Sequence, residues 1–589
     1  MAVSRDSGLQ RINFPYFEGV NTIVEHTISK KVEPELAENA RSVKVGSIEK
    51  RRGFTALGNN ISATANYGLF YFEGTTSMKY LYRISTVAGQ TNTYYLSNAS
   101  AWTVLAGAGS TLSAAKMSIA SAENCLFMVN GTDVNRYVGS DGLTVTPATT
   151  VATTNHMYLS PKAYKVNYYK DKLYLGDIYL GTNRIKNGVA FSSKPVGIVS
   201  LVSGDFATGV VSLDVTDTKY IYASDTLDVI RGGVRITTVT VTAKTEYAIT
   251  VNATGADIKS SDELWVANTY DGTAPMVFRW ASVASGTNAK RYDTFKMAGG
   301  SSSPVTMLTN IGDVMAIATK DSFMTWNDSS LTSYHTRVGC VSDNGYVEVN
   351  NLLMFIHYTG VYATSGGAAK LVSSKVQEFF DGATKAGLEA ASVGKKGLSV
   401  FFGIGDVTLY NEDGSTYKTL SDVVLEYNMR QENWFVHTGI PAAQFITYIN
   451  STDPDDLVFS NSTNFKIYEF LKGYDDDGAA IPFSITTSNV TLNPEFEKIS
   501  YPRFLILDAE AGNTLKIFVS MDNDSFYGLE STVNKGCERI AVTPKEPNDE
   551  YARCRKIRIS IKEFSKGICK ISRMALLYSL NEEYEEHSS

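Results

Sequence analysis

The sequence predicts an all-β protein: a β-propeller of about six to eight blades carrying an inserted small β-domain and a C-terminal β-sandwich. Three observations predict it. The chain of 589 residues holds 34 Tyr, 27 Phe and only 14 Pro and is crowded with Val, Thr, Ser and Gly, a composition that fits pleated, half-buried surfaces better than helices. A unit of apolar run, turn, second apolar or aromatic run and Gly/Asp/Ser cluster recurs seven times. One long gap in that recurrence is filled by strongly alternating sequence, which points to a domain set between blades.

The seven units are LFYFEGTTSMKYLYRIS from Leu69, CLFMVNGTDVNRYVGSDG from Cys125, KLYLGDIYLGTNRIKNG from Lys172, VMAIATKDSFMTWNDSS from Val314, LMFIHYTGVYATSGG from Leu353, VFFGIGDVTLYNEDG from Val400 and LVFSNSTNFKIYEFLKG from Leu457. Each reads as a β-hairpin, with Asn130-Gly131, Thr359-Gly360 and Gly405-Asp406 as turns. A lone hairpin cannot bury both faces, and starts spaced by about 40 to 60 residues leave room for four strands per unit, the size of a propeller blade. Unrelated hairpins in stacked sandwiches are the alternative. The organisation that follows is an N-terminal arm over 1–56, propeller over 57–201, inserted β-domain over 202–278, propeller again over 279–480, sandwich over 481–580 and an acidic tail over 581–589. In the sandwich, CRKIRISIKEF sets Ile557, Ile559 and Ile561 on one face and Lys556, Arg558 and Lys562 on the other.

Chemistry is sparse. The first residues contain no apolar leader and no later run reaches the length of a membrane span, so the expectation is a product made in the cytoplasm. The cysteines at 125, 340, 537, 554 and 569 form no C-x-x-C pair and read as small buried hydrophobes. There is no G-x-S-x-G, H-E-x-x-H or phosphate-loop motif, and His357 in an apolar hairpin reads as structural. The clusters Asp475-Asp476-Asp477 and Asp522-Asn523-Asp524 lack the alternate spacing of a calcium loop and read as plain turns. The expectation is a protein that is not an enzyme and needs no cofactor or metal. Net charges of +2 over 1–56, −7 over 57–480, +2 over 481–580 and −4 over 581–589 make the chain −7, without the basic excess of a tight DNA binder.

The stretch NFPYFEGVNTIVEHTI followed by ENARSVKVGSIEKRRGFTAL resembles the start of the tail nozzle (tail tubular protein B-like) proteins of short-tailed bacteriophages: a Gly-Val/Leu-Asn turn, an Asn-rich segment, then a Lys/Arg-Arg-x-Gly element leading into the first blade. Gly19, Asn21, Asn39, Lys50, Arg51 and Gly53 occupy those places, with Arg52 where the family often has proline. LMFIHYTGVYATSGG with Gly360 and Tyr362, VLEYNMRQENWFVHTG with Arg430 and Trp434, and YEFLKGYDDDGAAIPFSITT with Asp477 and Gly478 are similar to later elements of that family. The resemblance implies a structural virion protein at the phage tail, a homo-hexameric ring around the DNA channel that retains packaged DNA and lets it pass at ejection. It implies a portal-tail adaptor and tail fibres or other tail proteins as partners, duplex DNA crossing the lumen without tight binding, and no small-molecule substrate. Lys50 to Gly53 is then the turn into the first blade, its cations meeting a neighbouring subunit or local carboxylates. A neck or tail-hub component of a long-tailed phage, and a glycan-binding or glycan-cleaving propeller adhesin, are the rival readings.

Overall fold

A computed structural model describes residues 9–14, 34–42, 47–73, 79–97, 101–105, 111–147, 155–272, 274, 276–281, 293–297, 303–335, 337–411, 413–449, 455–487, 490–491, 500–511, 514–522, 527–532, 536–542 and 554–580. Among them, seven antiparallel blades follow one another in chain order. Their innermost strands are Ala65–Glu73, Ser118–Ala122, Ala163–Tyr169, Met307–Ile311, Tyr346–Val349, Ser392–Lys396 and Ala442–Tyr448, each beside the next, with the seventh beside the first. That closed circuit is a seven-bladed propeller.

The local reasons lie in the turns. Glu123-Asn124, Lys170-Asp171 and Asn350-Asn351 are pairs of residues with positive φ between the first two strands of the second, third and fifth blades, the conformation that matches the twist of a two-residue hairpin. One expected turn is not a turn. Gly405, at φ +77°, sits in a bulge within the single strand Ser399–Tyr410, whose register against Thr416–Asn428 shifts on either side of it. A glycine that supplies a bulge leaves the same trace in sequence as one that supplies a hairpin.

Apolar burial runs between blades. Phe70, Tyr82 and Ile84 of the first blade pack with Leu126 and Met128 of the second, and Met307, Ala316 and Phe323 of the fourth with Leu353 and Phe355 of the fifth. Leu69, Leu81 and Trp102 meet Tyr448, Val458 and Ile467 across the closure. Each hairpin thus buries its second face only because a neighbour is present.

Closure is made by the arm. Phe54–Ala56 pairs with Ile467–Phe470 as the outer strand of the seventh blade, which corrects the expectation that Lys50 to Gly53 leads into the first blade. The reason is pairing: three strands from the C-terminal end of the propeller leave an open edge, and the arm passes it before the first blade begins. The sandwich also takes strands from the arm. Pro34–Glu38 lies between Asn433–His437 of the sixth blade, parallel, and Phe483–Thr487, antiparallel, so the sheet of the sixth blade runs on into the sandwich. Ala40–Arg41, Ile48–Lys50 and Leu9–Phe14 join the opposing sheet around Cys569–Leu580 and Ser500–Ala511. Ile557, Ile559 and Ile561 are buried against Leu505, Ala509 and Leu576, as their alternation requires.

Between the third and fourth strands of the third blade the chain forms a separate barrel. Its strands are ordered Ile198–Leu201, Glu263–Val266, Thr226–Arg231, Val234–Lys244, Ala248–Val251, Ser212–Asp214. The two ends meet at the Val202–Val215 bridge, with Ser203 N donating to Asp214 O and Thr216 N to Leu201 O, each at 2.9 Å. Closure removes free edges, and Val199, Leu213, Leu227, Val229, Val239 and Ile249 are among the residues of its own core. The barrel is fastened to the propeller by buried Arg279, which bonds Asp225 at 2.6 and 3.2 Å and the Tyr220 carbonyl at 2.8 Å. Asp225→Ala leaves this guanidinium without its carboxylate and should cost about 3–5 kcal/mol in urea unfolding; a loss within the range of an exposed pair would show that the barrel is not held there.

Candidate functional site

The residues singled out from sequence at the end of the arm come together where propeller, sandwich and closing strand meet. Asn39 marks a change of sheet: Pro34–Glu38 belongs to one sheet, Ala40–Arg41 to the other, and Asn39 between them takes φ +54°, a conformation Asn tolerates. Its side chain is wholly buried and uses its full capacity. Nδ2 donates to Thr438 Oγ1 at 2.9 Å and Pro482 O at 2.7 Å, while Oδ1 accepts from Arg51 Nε at 2.7 Å and Thr438 N at 2.9 Å.

Arg51 is equally satisfied. Besides Nε to Asn39, Nη1 reaches Asp476 Oδ1 at 2.8 Å and Arg52 O at 3.1 Å, and Nη2 reaches Asp476 Oδ2 at 2.6 Å and Thr438 O at 3.1 Å. The fork-to-fork pair with Asp476 is the geometry that makes arginine, and not lysine, fit a buried carboxylate. Lys50, on the other side of the chain, pairs with buried Glu563 at 2.7 Å and with Ser565 O at 2.8 Å. Arg52 points elsewhere, its guanidinium 5.2 Å from the ring centroid of Tyr474. Lys50 and Arg51 therefore meet local carboxylates, whereas Arg52 meets an aromatic ring.

Gly53 is required by crowding: a Cβ there would lie 1.7 Å from the Asp475 carbonyl oxygen. The turn that presses on it is held by the arm in return, since Asp477 N donates to Phe54 O at 2.9 Å and Gly478 N to Asp475 Oδ1 at 3.0 Å, with Asp477 at φ +48° and Gly478 at +92°. The reading of Asp475 to Asp477 as a plain turn is thus corrected: Asp476 is the counter-ion of Arg51. Deeper in the junction, Arg41 grips Glu426 at 2.9 and 2.8 Å, and His437 Nε2 lies 2.9 Å from Glu426 Oε2. Burial opposes the Glu426 charge, yet Arg41 and His437 overrule it and hold its carboxyl at about 2. Burial, reinforced by Arg51 and Arg41, pulls His437 down to about 4, so it is neutral at physiological pH. Nothing in the sequence marked this triad, because its members are scattered over nearly 400 positions.

The other resemblance residues are dispersed. Gly360, at φ +132°, has no room for a Cβ beside Ser373 Oγ, and Tyr362 OH lies 2.9 Å from Thr359 Oγ1. Trp434 is buried against Tyr427 and Phe402, with Nε1 on Val372 O at 3.3 Å, whereas Arg430 is exposed within the turn that Asn428 caps. Gly19 and Asn21 lie outside the described residues, as do Asn523 and Asp524.

Reactive groups are muted. Burial pushes the thiols of Cys125 up to about 11 and of Cys340 and Cys569 to about 12, and it pulls His156 down to about 4. Protonated thiols and neutral, enclosed imidazoles make poor nucleophiles and bases. Among the described residues no three His, Cys, Asp or Glu side chains gather as metal ligands. His357 bonds Thr359 Oγ1 at 2.9 Å, in keeping with a structural role.

No protein-family model and no curated protein matches the chain. Solved structures that it is similar to include the computationally designed Ika8 protein (9% identity, TM-score 0.29, covering 71% of this chain and 99% of that one). Others are an exo-beta-1,3-galactanase from Phanerochaete chrysosporium (10%, 0.21, 80% and 97%) and PorZ, a bacterial surface component of the type-IX secretion system of Porphyromonas gingivalis (8%, 0.18, 89% and 86%). Scores this low transfer nothing about activity.

Two outcomes follow from the junction. Arg51→Ala strands Asp476 and Asn39 and should cost about 3–5 kcal/mol, whereas Arg52→Ala, an exposed change, should stay within about 0.5 kcal/mol; equal effects in chemical unfolding would contradict the geometry. Stability should also fall with acid. His437 and His156 have folded values near 4, below the roughly 6.5 of an unfolded histidine, so the unfolded chain binds more protons and stability drains away as pH falls from about 6.5 to about 4. Glu426 adds a further loss below about 4.3, continuing to about 2. Urea midpoints that stay flat from neutral pH to pH 4 would refute this.

Proposed function

We propose that the chain is a structural protein of a bacteriophage tail, a nozzle subunit that assembles as a homo-hexameric ring around the DNA channel, retains packaged DNA and opens a passage at ejection. One observation carries the reading. The residues by which the sequence resembles the nozzle family at the arm and at the propeller exit lie together where propeller meets sandwich: Asn39, Lys50, Arg51 and Gly53 are buried there, and Asp477 and Gly478 are on the exposed turn that packs on Gly53. At the arm and the propeller exit, the likeness thus falls on residues that take part in one piece of architecture.

Physical chemistry agrees with a conduit made by several copies. The hollow at the propeller's centre has a volume of about 450 Å3, far too small for a duplex roughly 20 Å across, so a lumen has to come from the ring of subunits. Closing such a ring takes two different lateral surfaces per subunit, and a barrel on one blade with a sandwich on another supplies an asymmetric outline. A net charge of −7 suits a wall along which a polyanion slides without being held.

Imaging of tail complexes containing this chain should show six copies around a six-fold axis with the propeller axes off the DNA path; one copy on the tail axis would overturn the proposal. Purified protein should bind duplex DNA weakly at physiological salt and more weakly as salt rises. Nanomolar binding would replace the conduit with a DNA-binding role.

A further inference from the structure

The hollow at the centre of the propeller is polar and built. Its wall takes residues from the innermost strands or adjoining loops of all seven blades, and its volume of about 450 Å3 falls within the range of small-molecule pockets. Asp177, from the third blade, is placed there by a bulge: register shifts between Gly176 and Ile178, and Asp177 itself takes φ +54°. A non-glycine residue held in that conformation in mid-strand re-aims its side chain at a local cost. Arg184 clasps both of its oxygens, at 2.8 and 2.5 Å, and lies 4.0 Å from the ring centroid of Tyr164. From the fifth blade Asp343 meets Lys165 through Oδ1 at 2.8 Å, and its side chain is 39% exposed.

Some capacity is left over. Lys116 is exposed within electrostatic reach of Asp343 and has no ion-pair partner among the described residues; Arg184 Nη1 and the Asn344 side-chain amide are likewise uncommitted there. The wall holds three cations, Lys116, Lys165 and Arg184, against two carboxylates, Asp177 and Asp343. Burial pushes the Asp343 carboxyl up, but Lys165 outweighs it and keeps the group below its ordinary value and charged.

We propose that this end of the propeller channel binds an acidic saccharide of one or two rings, its carboxylate on Lys116 and Arg184, its hydroxyls on Asp343 and Asn344. The excess positive charge calls for an anion. A half-buried, ionised Asp343 beside the cations repels a dianion such as phosphate, whereas sugar hydroxyls donate to it while a single carboxylate meets the cations. The half-buried ring of Tyr67 on the same wall gives the apolar face of a sugar something to pack on. Binding here is separate from ring assembly, and either can fail without the other.

The test is titration of the full-length protein with glucuronate, glucose and inorganic phosphate, read by ligand-observed NMR and calorimetry. Glucuronate should bind saturably in the millimolar range and more tightly than glucose or phosphate. Lys116→Ala and Asp343→Asn should each weaken it by about ten-fold, the worth of one charge-assisted hydrogen bond, with thermal melting showing both variants folded. Absence of saturable glucuronate binding, phosphate binding tighter than glucuronate, glucose binding equally well, or affinity unchanged in both variants would each overturn the proposal.

Discussion

A guanidinium sealed from water has to find a partner for every N–H, and Arg51 finds five bonds' worth in one place. Those partners are the arm itself at Asn39 and Arg52, the end of the sixth blade at Thr438, and the turn after the seventh blade at Asp476. None can shift without leaving a buried charge short of a bond, which is why segments hundreds of residues apart are fixed in one arrangement. The neighbouring Lys50–Glu563 and Arg41–Glu426–His437 groups repeat the logic on either side, the first reaching the sandwich, the second the sixth blade. Ion pairs of this kind add little net stability over apolar replacements, but they punish any misplaced partner, and so they specify how the parts join.

The rest of the architecture follows from edges and faces. Blades bury their second faces only against neighbours, so the propeller is stable only as a closed circuit, and the circuit closes through Phe54–Ala56. Because the strand that closes it is the continuation of strands already committed to the sandwich, propeller and sandwich share their N-terminal segment. The inserted barrel solves the same problem alone, by pairing its first strand with the strand that begins at Ser212. It hangs from the third blade by Arg279 and Asp225.

Much of this was legible. Short apolar runs with turn residues marked the hairpins, and the alternation of Val239, Val241, Ile249 and Val251 marked the barrel core. Ile557, Ile559 and Ile561 marked a buried face in the sandwich. What was not legible depended on long-range pairing. Pattern cannot say that Pro34–Glu38 lies beside Asn433–His437, since strand partners leave no trace in a single sequence. Gly405 looked like a turn because bulges and turns use the same residue. Asp476 looked like one of three turn carboxylates until the position of Arg51 gave it its role.

The central claim is that the arm joins propeller and sandwich into one cooperative structure, and native-state hydrogen exchange tests it most directly. The amides of 35–41, 48–51 and 54–56 are expected to exchange only through the same opening that exposes Asn433–His437, Ile467–Phe470 and Lys556–Glu563, with one shared free energy and one shared dependence on denaturant. Exchange of the arm at far lower free energy, with the blades and the sandwich still protected, would show that it lies on the fold without holding it together.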